Sequence, residues 1–597
     1  MEDKAKTLLS KSSLKTNYIY ILIIITAFAV YINTLFNEFV FDDVSLVVTN
    51  PWIRDIKYTP EIFSSGAWSF EGRDSNYYRP MIHVIYMLIY YTAGLKSSAF
   101  HLANIIFHTA ASLLVFLIAA KLSGNNLPFR YLSLPLATAM MFATHPVHTE
   151  AVAWVVGMFD LSFTFFYLLS FYLYIQSEQK FNMAYIISVA SFFLSALCKE
   201  PALTLPVILA AYDYSMSGKS WKTRNIWARY IPYAAVVVVY LVLRYNALGG
   251  FFPIEALRGM GLYDRLINIV VLFSDYMGKL FIPINLNAWH VFTRETSMAT
   301  ARGIISISIL GAFLFLLWLS AKKNRLIFLS LLMIAVPLLP ALYISALTQG
   351  NENVFAERYL YLPSFGFTLL AGIIIEALAE KKQNRFTLTA TILSVITIFY
   401  SAGTISRNFA WKDNYTLWSD SVKKSPNSAK AHELLGFALL KNGKTEDGKQ
   451  HLQRALELNP DLLNETISKG TGYAKKGFLN KAVFEFVAAI AIKPDSAEAH
   501  FNLAIAYDSL GWSQMAIDEY KKTLILSPKF AEAHNNLGIL YSIAGSLDEA
   551  LSHFQEAVRL DPYDPSFHYN LARAYDMKGF SDLADSERKL AQKLERK

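Results

Sequence analysis

A chain of 597 residues, 54% of them hydrophobic, 14% aromatic and only 17% charged, with a mean hydropathy of +0.30, is too apolar for an ordinary soluble protein. Its net charge of +8 sits mostly in short loops between apolar runs, which reads as a topology signal and argues against a nucleic-acid-binding face. The single cysteine, Cys198, excludes a disulfide framework within one chain.

In chain order, the first apolar run, 18–36, follows Lys4, Lys6, Lys11 and Lys15. No small-residue cleavage site follows it, so it reads as a retained span with residues 1–17 in the cytoplasm. Further basic clusters at 121–130, Lys180, 219–229, 322–325 and 381–385 can all lie inside together. That condition predicts eleven spans, near 18–36, 99–121, 131–145, 154–176, 182–198, 201–216, 229–247, 301–321, 325–345, 359–379 and 386–404, with a first outside loop at 37–98. An odd number of spans places the C-terminus outside. The run 81–91 is too short to span, and 266–283 carries Asp275, Lys279 and Pro283; both are expected as outside-facing interfacial or re-entrant helices.

Beyond about residue 410 a strict repeat replaces the hydropathy signal. Pro426, Pro460, Pro494, Pro528 and Pro562 are spaced by 34 residues, as are Gly443, Gly477, Gly511, Gly545 and Gly579. His534, Leu537, Gly538, Tyr541, Ala550, Phe554, Ala557 and Pro562 follow the tetratricopeptide (TPR) pattern, in which small residues let paired helices touch. Five repeats are expected over 427–597, joined to the 18–404 domain by a connector, 405–426, that has no Gly- or Ser-rich stretch and is expected to be stiff. The fold class is therefore all-α: a multi-pass helical membrane domain followed by an α-solenoid.

The expected outside face gathers Asp42, Asp43, the Tyr77–Pro80 run, His145, His148, Glu150, Lys199, Glu200, Glu357 and Arg358, and Asp160 opens a span nearby. Ionisable groups at the ends of apolar spans are costly and mark function or pair with one another. Carboxylates that accept a proton and cations that hold a phosphate are the inventory for moving a sugar from a lipid phosphate to a hydroxyl. Arg79, Lys199 and Arg358 are the candidate phosphate-binding cations, the alternative being salt bridges to Glu200 or Glu357. His145, His148, Glu150, Asp160, Glu200 and Glu357 are candidates for orienting substrate. No metal site is assigned, because Pro146 breaks the helical arrangement of His145 and His148 and no further His or Cys cluster supplies ligands.

Several of these motifs carry a family resemblance. Phe39-Val40-Phe41-Asp42-Asp43-Val44-Ser45, Tyr78-Arg79-Pro80, the 145–152 run, Cys198-Lys199-Glu200 and Arg358-Tyr359-Leu360-Tyr361-Leu362-Pro363-Ser364, together with the TPR tail, resemble the transmembrane and TPR-containing protein O-mannosyltransferases. The resemblance implies a glycosyltransferase C fold, a dolichyl- or polyprenyl-phosphate sugar donor without a further cofactor, mannose as the sugar and catalysis on the non-cytoplasmic face. It also transfers to Asp42 or Asp43 the general-base role that the superfamily gives the acid after the first span, without choosing between them. One departure stands out: after Val155-Val156-Gly157 the family continues with Arg, a small residue and an acid, whereas this chain has Met158-Phe159-Asp160.

The expected partners are a lipid-linked sugar donor, the membrane and an acceptor protein at the TPR groove, with no nucleic acid. The membrane is the plasma membrane in a prokaryote or the endoplasmic reticulum in a eukaryote, and the repeats lie outside the cytoplasm. Two competing readings are a ligase that moves a whole glycan from a lipid pyrophosphate, and a non-catalytic membrane-anchored TPR scaffold. The first fits poorly with an Asp pair directly after the first span, and the second leaves five ionisable motifs on one face unexplained.

Overall fold

The computed structural model describes residues 17–72, 76–124, 133–216, 227–250, 261–347, 354–380 and 382–596. The four N-terminal lysines and most of the basic loops after 124 and 216 therefore lie outside the described residues. The described residues are helical, without strands, and the chain divides into two compact units, Met1–Ala431 and His432–Lys597.

In the first unit the principal helices are α1 (Asn17–Phe36), α2 (Pro80–Ala93), α3 (Ser97–Leu122), α4 (Ser133–Thr144), α5 (Met158–Gln176), α6 (Met183–Cys198), α7 (Leu205–Met216), α8 (Ile231–Leu248), α9 (Leu262–Phe281), α10 (Ala301–Lys323), α11 (Arg325–Leu347), α12 (Pro363–Glu380), α13 (Arg385–Asn408) and α14 (Asn414–Lys424). Seven helical segments, those containing α1, α3, α5, α8, α10, α11 and α13, are long and apolar enough to cross a membrane, which fits a membrane protein. Their outward faces carry large apolar side chains, among them Val239, Ile304, Phe315, Trp318, Ile398 and Phe399. A surface of that kind is stable where lipid covers it.

The helix α9 buries one apolar face and leaves further apolar residues exposed towards its two ends. Ile267, Val271, Leu272, Tyr276 and Leu280 are buried in a core shared with Leu338 and Leu342 of α11 and with Phe355, while Leu262, Tyr263, Leu266 and Phe281 are exposed. Its Asp275 accepts from Arg302 at 2.7 Å, so the charge that breaks its apolar pattern is paired at the foot of α10.

The second unit is a stack of helix pairs built by one local rule. The glycines Gly443, Gly477, Gly511, Gly545 and Gly579 all take a left-handed φ of +76 to +82°, which lets the next N–H reach back to the carbonyl five residues earlier, as Phe478 does to Tyr473 at 2.9 Å and Ser546 to Tyr541 at 2.9 Å. This closes the first helix of each pair with its last carbonyls satisfied. The two helices of a pair then touch at small residues: a Cβ on Gly470 would stand 2.5 Å from the Phe486 ring, and one on Gly538 2.8 Å from Phe554.

Candidate active site

The site is assembled from helix ends that the sequence punctuates with proline. Arg79 stands immediately before Pro80, which starts α2; Lys199 is the extended residue closing α6, before a turn whose Pro201 follows Glu200; Arg358 lies in a 3-10 turn, Glu357–Leu360, just ahead of the helix beginning at Pro363. Proline suits the first turn of a helix, where its missing N–H would have no partner, so each cationic side chain is held in the chain just ahead of a proline-started element.

These cations are brought together and paired. Arg79 donates to Glu200 through Nη2 at 2.7 Å and Nε at 3.0 Å, and Arg244 of α8 reaches the other Glu200 oxygen at 3.1 Å. Lys199 contacts Asp160 of α5 at 2.5 Å, and Arg358 grips Glu150 through its guanidinium and, at 2.9 Å, through its own N–H. Four cations thus face three carboxylates. Aromatic rings wall the cluster: Lys199 lies 4.8 Å over Tyr359, and Arg358 5.6 Å over Trp154. Arg79 lies 4.2 Å over Tyr77 and 5.1 Å over Phe159.

The electrostatics follow from burial. Loss of water pushes the Lys199 ammonium down to about 8, Asp160 opposing and the neighbouring Arg79 and Arg358 assisting. Burial raises the Glu150 carboxyl above its usual value against the pull of Arg358. At Glu200 burial acts upward too, but Arg79 and Arg244 outweigh it and hold the group below its ordinary range.

Asp42 and Asp43 receive different environments. Asp43 is fully buried and spends one oxygen on the N–H of Val40 and the other on that of Val156, each at 2.9 Å. It staples the turn after α1 to the Val155–Gly157 turn that starts α5. Burial raises its carboxyl well above the usual range, opposed by those two N–H groups. Asp42 is half-buried. It follows Phe41, whose ring stacks on Trp154 at 6.0 Å, the same indole that faces Arg358.

Other expected residues sit beneath this surface. His145 and His148 are buried; His145 donates from Nε2 to the Leu280 carbonyl at 3.1 Å and caps the next turn by accepting from Val147, and His148 meets the Ser364 hydroxyl at 2.7 Å. They fix the backbone that carries Glu150. Glu357 turns away from Arg358 and accepts from the Asn287 N–H at 2.7 Å and from His290 at 2.8 Å. The partner of Arg358 is therefore Glu150, where sequence reasoning named Glu357 as the alternative. Arg244 was missed, although a lone arginine inside an apolar span is itself the signal. His290 had no signal at all. Among the described residues no three His, Cys, Asp or Glu side chains are grouped to hold a metal ion.

Tetratricopeptide repeat models match residues 429–462, 497–530 and 531–564, and a TPR repeat model matches 470–511. A protein O-mannosyl-transferase of Caenorhabditis elegans is 29% identical over 445 residues, 72% of this chain and 61% of that protein. Protein O-mannosyl-transferase TMTC3 of Homo sapiens is 27% identical over 490 residues, 74% and 52% of the respective chains, and human TMTC4 is 27% identical over 68% and 62%. The chain thus spans between about half and about three fifths of the length of the curated relatives it matches. Among solved structures, MamA is 23% identical over 27% of this chain and 95% of its own, with a TM-score of 0.22; YrrB, described as a TPR protein with an unusual peptide-binding site, is 20% identical over 30% and 91%, with a TM-score of 0.22. The homologues of this chain are glycosyltransferases named as protein O-mannosyl-transferases, in keeping with the resemblance of its motifs.

Proposed function

We propose that this chain is a membrane glycosyltransferase that moves a sugar, mannose by homology, from a polyprenyl- or dolichyl-phosphate to a protein hydroxyl on the non-cytoplasmic face. The observation that carries the reading is the half-buried cluster of Arg79, Arg244, Lys199 and Arg358, with Lys199 itself buried, against only three carboxylates, adjoining the Asp42 turn through Trp154. One phosphate monoanion matches the unbalanced charge, and charge-assisted hydrogen bonds hold it in place of water.

In this mechanism Asp42 is the general base, and Asp43 is the residue that positions it. The acceptor hydroxyl of a Ser or Thr gives its proton to the Asp42 carboxylate while its oxygen forms a bond to the anomeric carbon. The bond from that carbon to the phosphate oxygen breaks, its electron pair leaves with the lipid phosphate, and Arg79, Lys199 and Arg358 stabilise the charge that develops there. Attack opposite the leaving group inverts the anomeric configuration. No metal or further cofactor is required by this scheme. In this reading the acceptor protein docks on the repeats, which lie on the non-cytoplasmic face. The test is to incubate the purified chain in lipid with a panel of labelled polyprenyl-phosphate monosaccharides and a Ser/Thr-rich acceptor and to follow transfer by mass spectrometry. Transfer from none of them overturns the reading.

A further inference from the structure

We infer that Asn414, in the connector that leads into the repeats, is a positioning residue for Asp42. Phe41, the residue before Asp42, has φ +51°, in the left-handed region that an aromatic residue adopts only when its surroundings impose it. The Phe41 N–H donates to Asn414 Oδ1 at 3.0 Å, and three residues earlier the Glu38 N–H donates to the Lys412 carbonyl at 2.8 Å. The Phe41 ring lies edge-on to Trp418 at 5.2 Å and to Trp289 at 6.0 Å.

Asn414 is itself held firmly. It is the first residue of α14, behind a reciprocal cap in which Asp413 Oδ1 accepts from the Thr416 N–H at 2.8 Å and Thr416 Oγ1 accepts from the Asp413 N–H at 3.1 Å. A rigid helix start therefore presents one carboxamide oxygen to a strained backbone. On the other side of Asp42, the Asp43 carboxylate is fastened to Val40 and Val156. Asp42 is bracketed between two fixed residues, and α14 supplies one bracket. The segment before the first repeat helix, Ala429–Lys441, thus takes part in building the catalytic turn.

The inference rests on the reading of Asp42 as the base, and the experiment separates the two. Turnover and donor KM are measured for the full chain in lipid with polyprenyl-phosphate mannose and a Ser/Thr peptide, for Asp42→Asn, Asn414→Leu, Asn414→Asp and Phe41→Gly, and for Asn414→Leu combined with Phe41→Gly. Asn414→Leu fills the same space without an acceptor; kcat is expected to fall about 10²-fold, the scale of an ångström-size misplacement, with donor KM unchanged. Asn414→Asp keeps the accepting oxygen and is expected to retain most of kcat. Glycine takes φ > 0 without strain, so the loss from Asn414→Leu is expected to shrink in the Phe41→Gly background. If Asp42→Asn runs at the parent rate, the base assignment falls and this inference with it. If Asp42→Asn is inactive while Asn414→Leu turns over like the parent, or if the Leu variant loses as much with glycine at 41 as with phenylalanine, the positioning role alone is overturned.

Discussion

At the scale of single residues, the two adjacent aspartates are separated by what surrounds them. Asp43 has both oxygens committed to backbone N–H groups in a buried pocket. Asp43→Asn offers those two donors one acceptor and one NH2 group, so one N–H loses its partner, at about 1–3 kcal/mol. The expected outcome is a lower unfolding temperature in detergent, with activity falling in step. Asp42→Asn, which keeps the size of the side chain, should reduce turnover about 10²–10⁴-fold with the protein still folded, the usual worth of a general base. Lys199 gives a third test. Its ammonium is charged below a value near 8, to which burial has pushed it, and the charge is lost as pH rises through that value. Donor binding in lipid vesicles should therefore weaken between pH 7 and 9, and Lys199→Arg, which stays charged, should remove the step. A flat profile for the parent would show that Lys199 does not meet the phosphate.

At the scale of elements, the turn Val155–Gly157 is the joint between the Asp pair and the cation cluster, because Val156 holds Asp43 and α5, which follows it, carries Asp160. It can lie so close to the preceding short helix only because residue 157 has no side chain: a Cβ there would be 2.1 Å from the Ala151 carbonyl oxygen. That atom is backbone and cannot swing aside. Gly157→Ala is expected to destabilise the fold by about 1–3 kcal/mol, as overpacking does, and to depress transfer beyond the loss of folded protein, since separating the turns frees Asp43. Thermal unfolding and turnover per folded molecule measure the two effects. Such elements were legible to different degrees. Seven of the eleven apolar stretches read from hydropathy carry helices long and apolar enough to span, and the other four carry shorter helices; helix is legible there because a run of apolar residues is local information, whereas the length of each helix is not. The repeats were legible for the same reason, each unit restating one set of glycines and small residues. The partners of the charges were not: Glu150 and Arg358 are 208 residues apart, Phe41 and Asn414 are 373 apart, and no period links such positions.

At the scale of the whole molecule, the proposed chemistry and the proposed acceptor recognition fall in different compact units, with residues to Ala431 in one and those from His432 in the other. The residues proposed to hold the donor, from Arg79 to Arg358, and Asn414 with the rest of α14 all belong to the first. A truncation that removes the repeats therefore has to keep α14 intact; a cut after Ser425 does so, whereas a cut before Asn414 takes away the acceptor for the Phe41 N–H. Two truncated chains are expected to differ. Ending at Ser425 should leave the membrane unit folded, and transfer to a short Ser/Thr peptide should persist while transfer to a folded protein acceptor falls, since stacked repeats present an extended surface for a partner chain. Ending at Phe409 should lose transfer to both acceptors, because the Asp42 turn is no longer held. Labelled-sugar incorporation, normalised to folded protein by size-exclusion chromatography in detergent, reads both. Equal loss with both acceptors in the Ser425 truncation would mean that the repeats support the membrane unit itself, and equal activity of the two truncations on the peptide would mean that the connector does not shape the site.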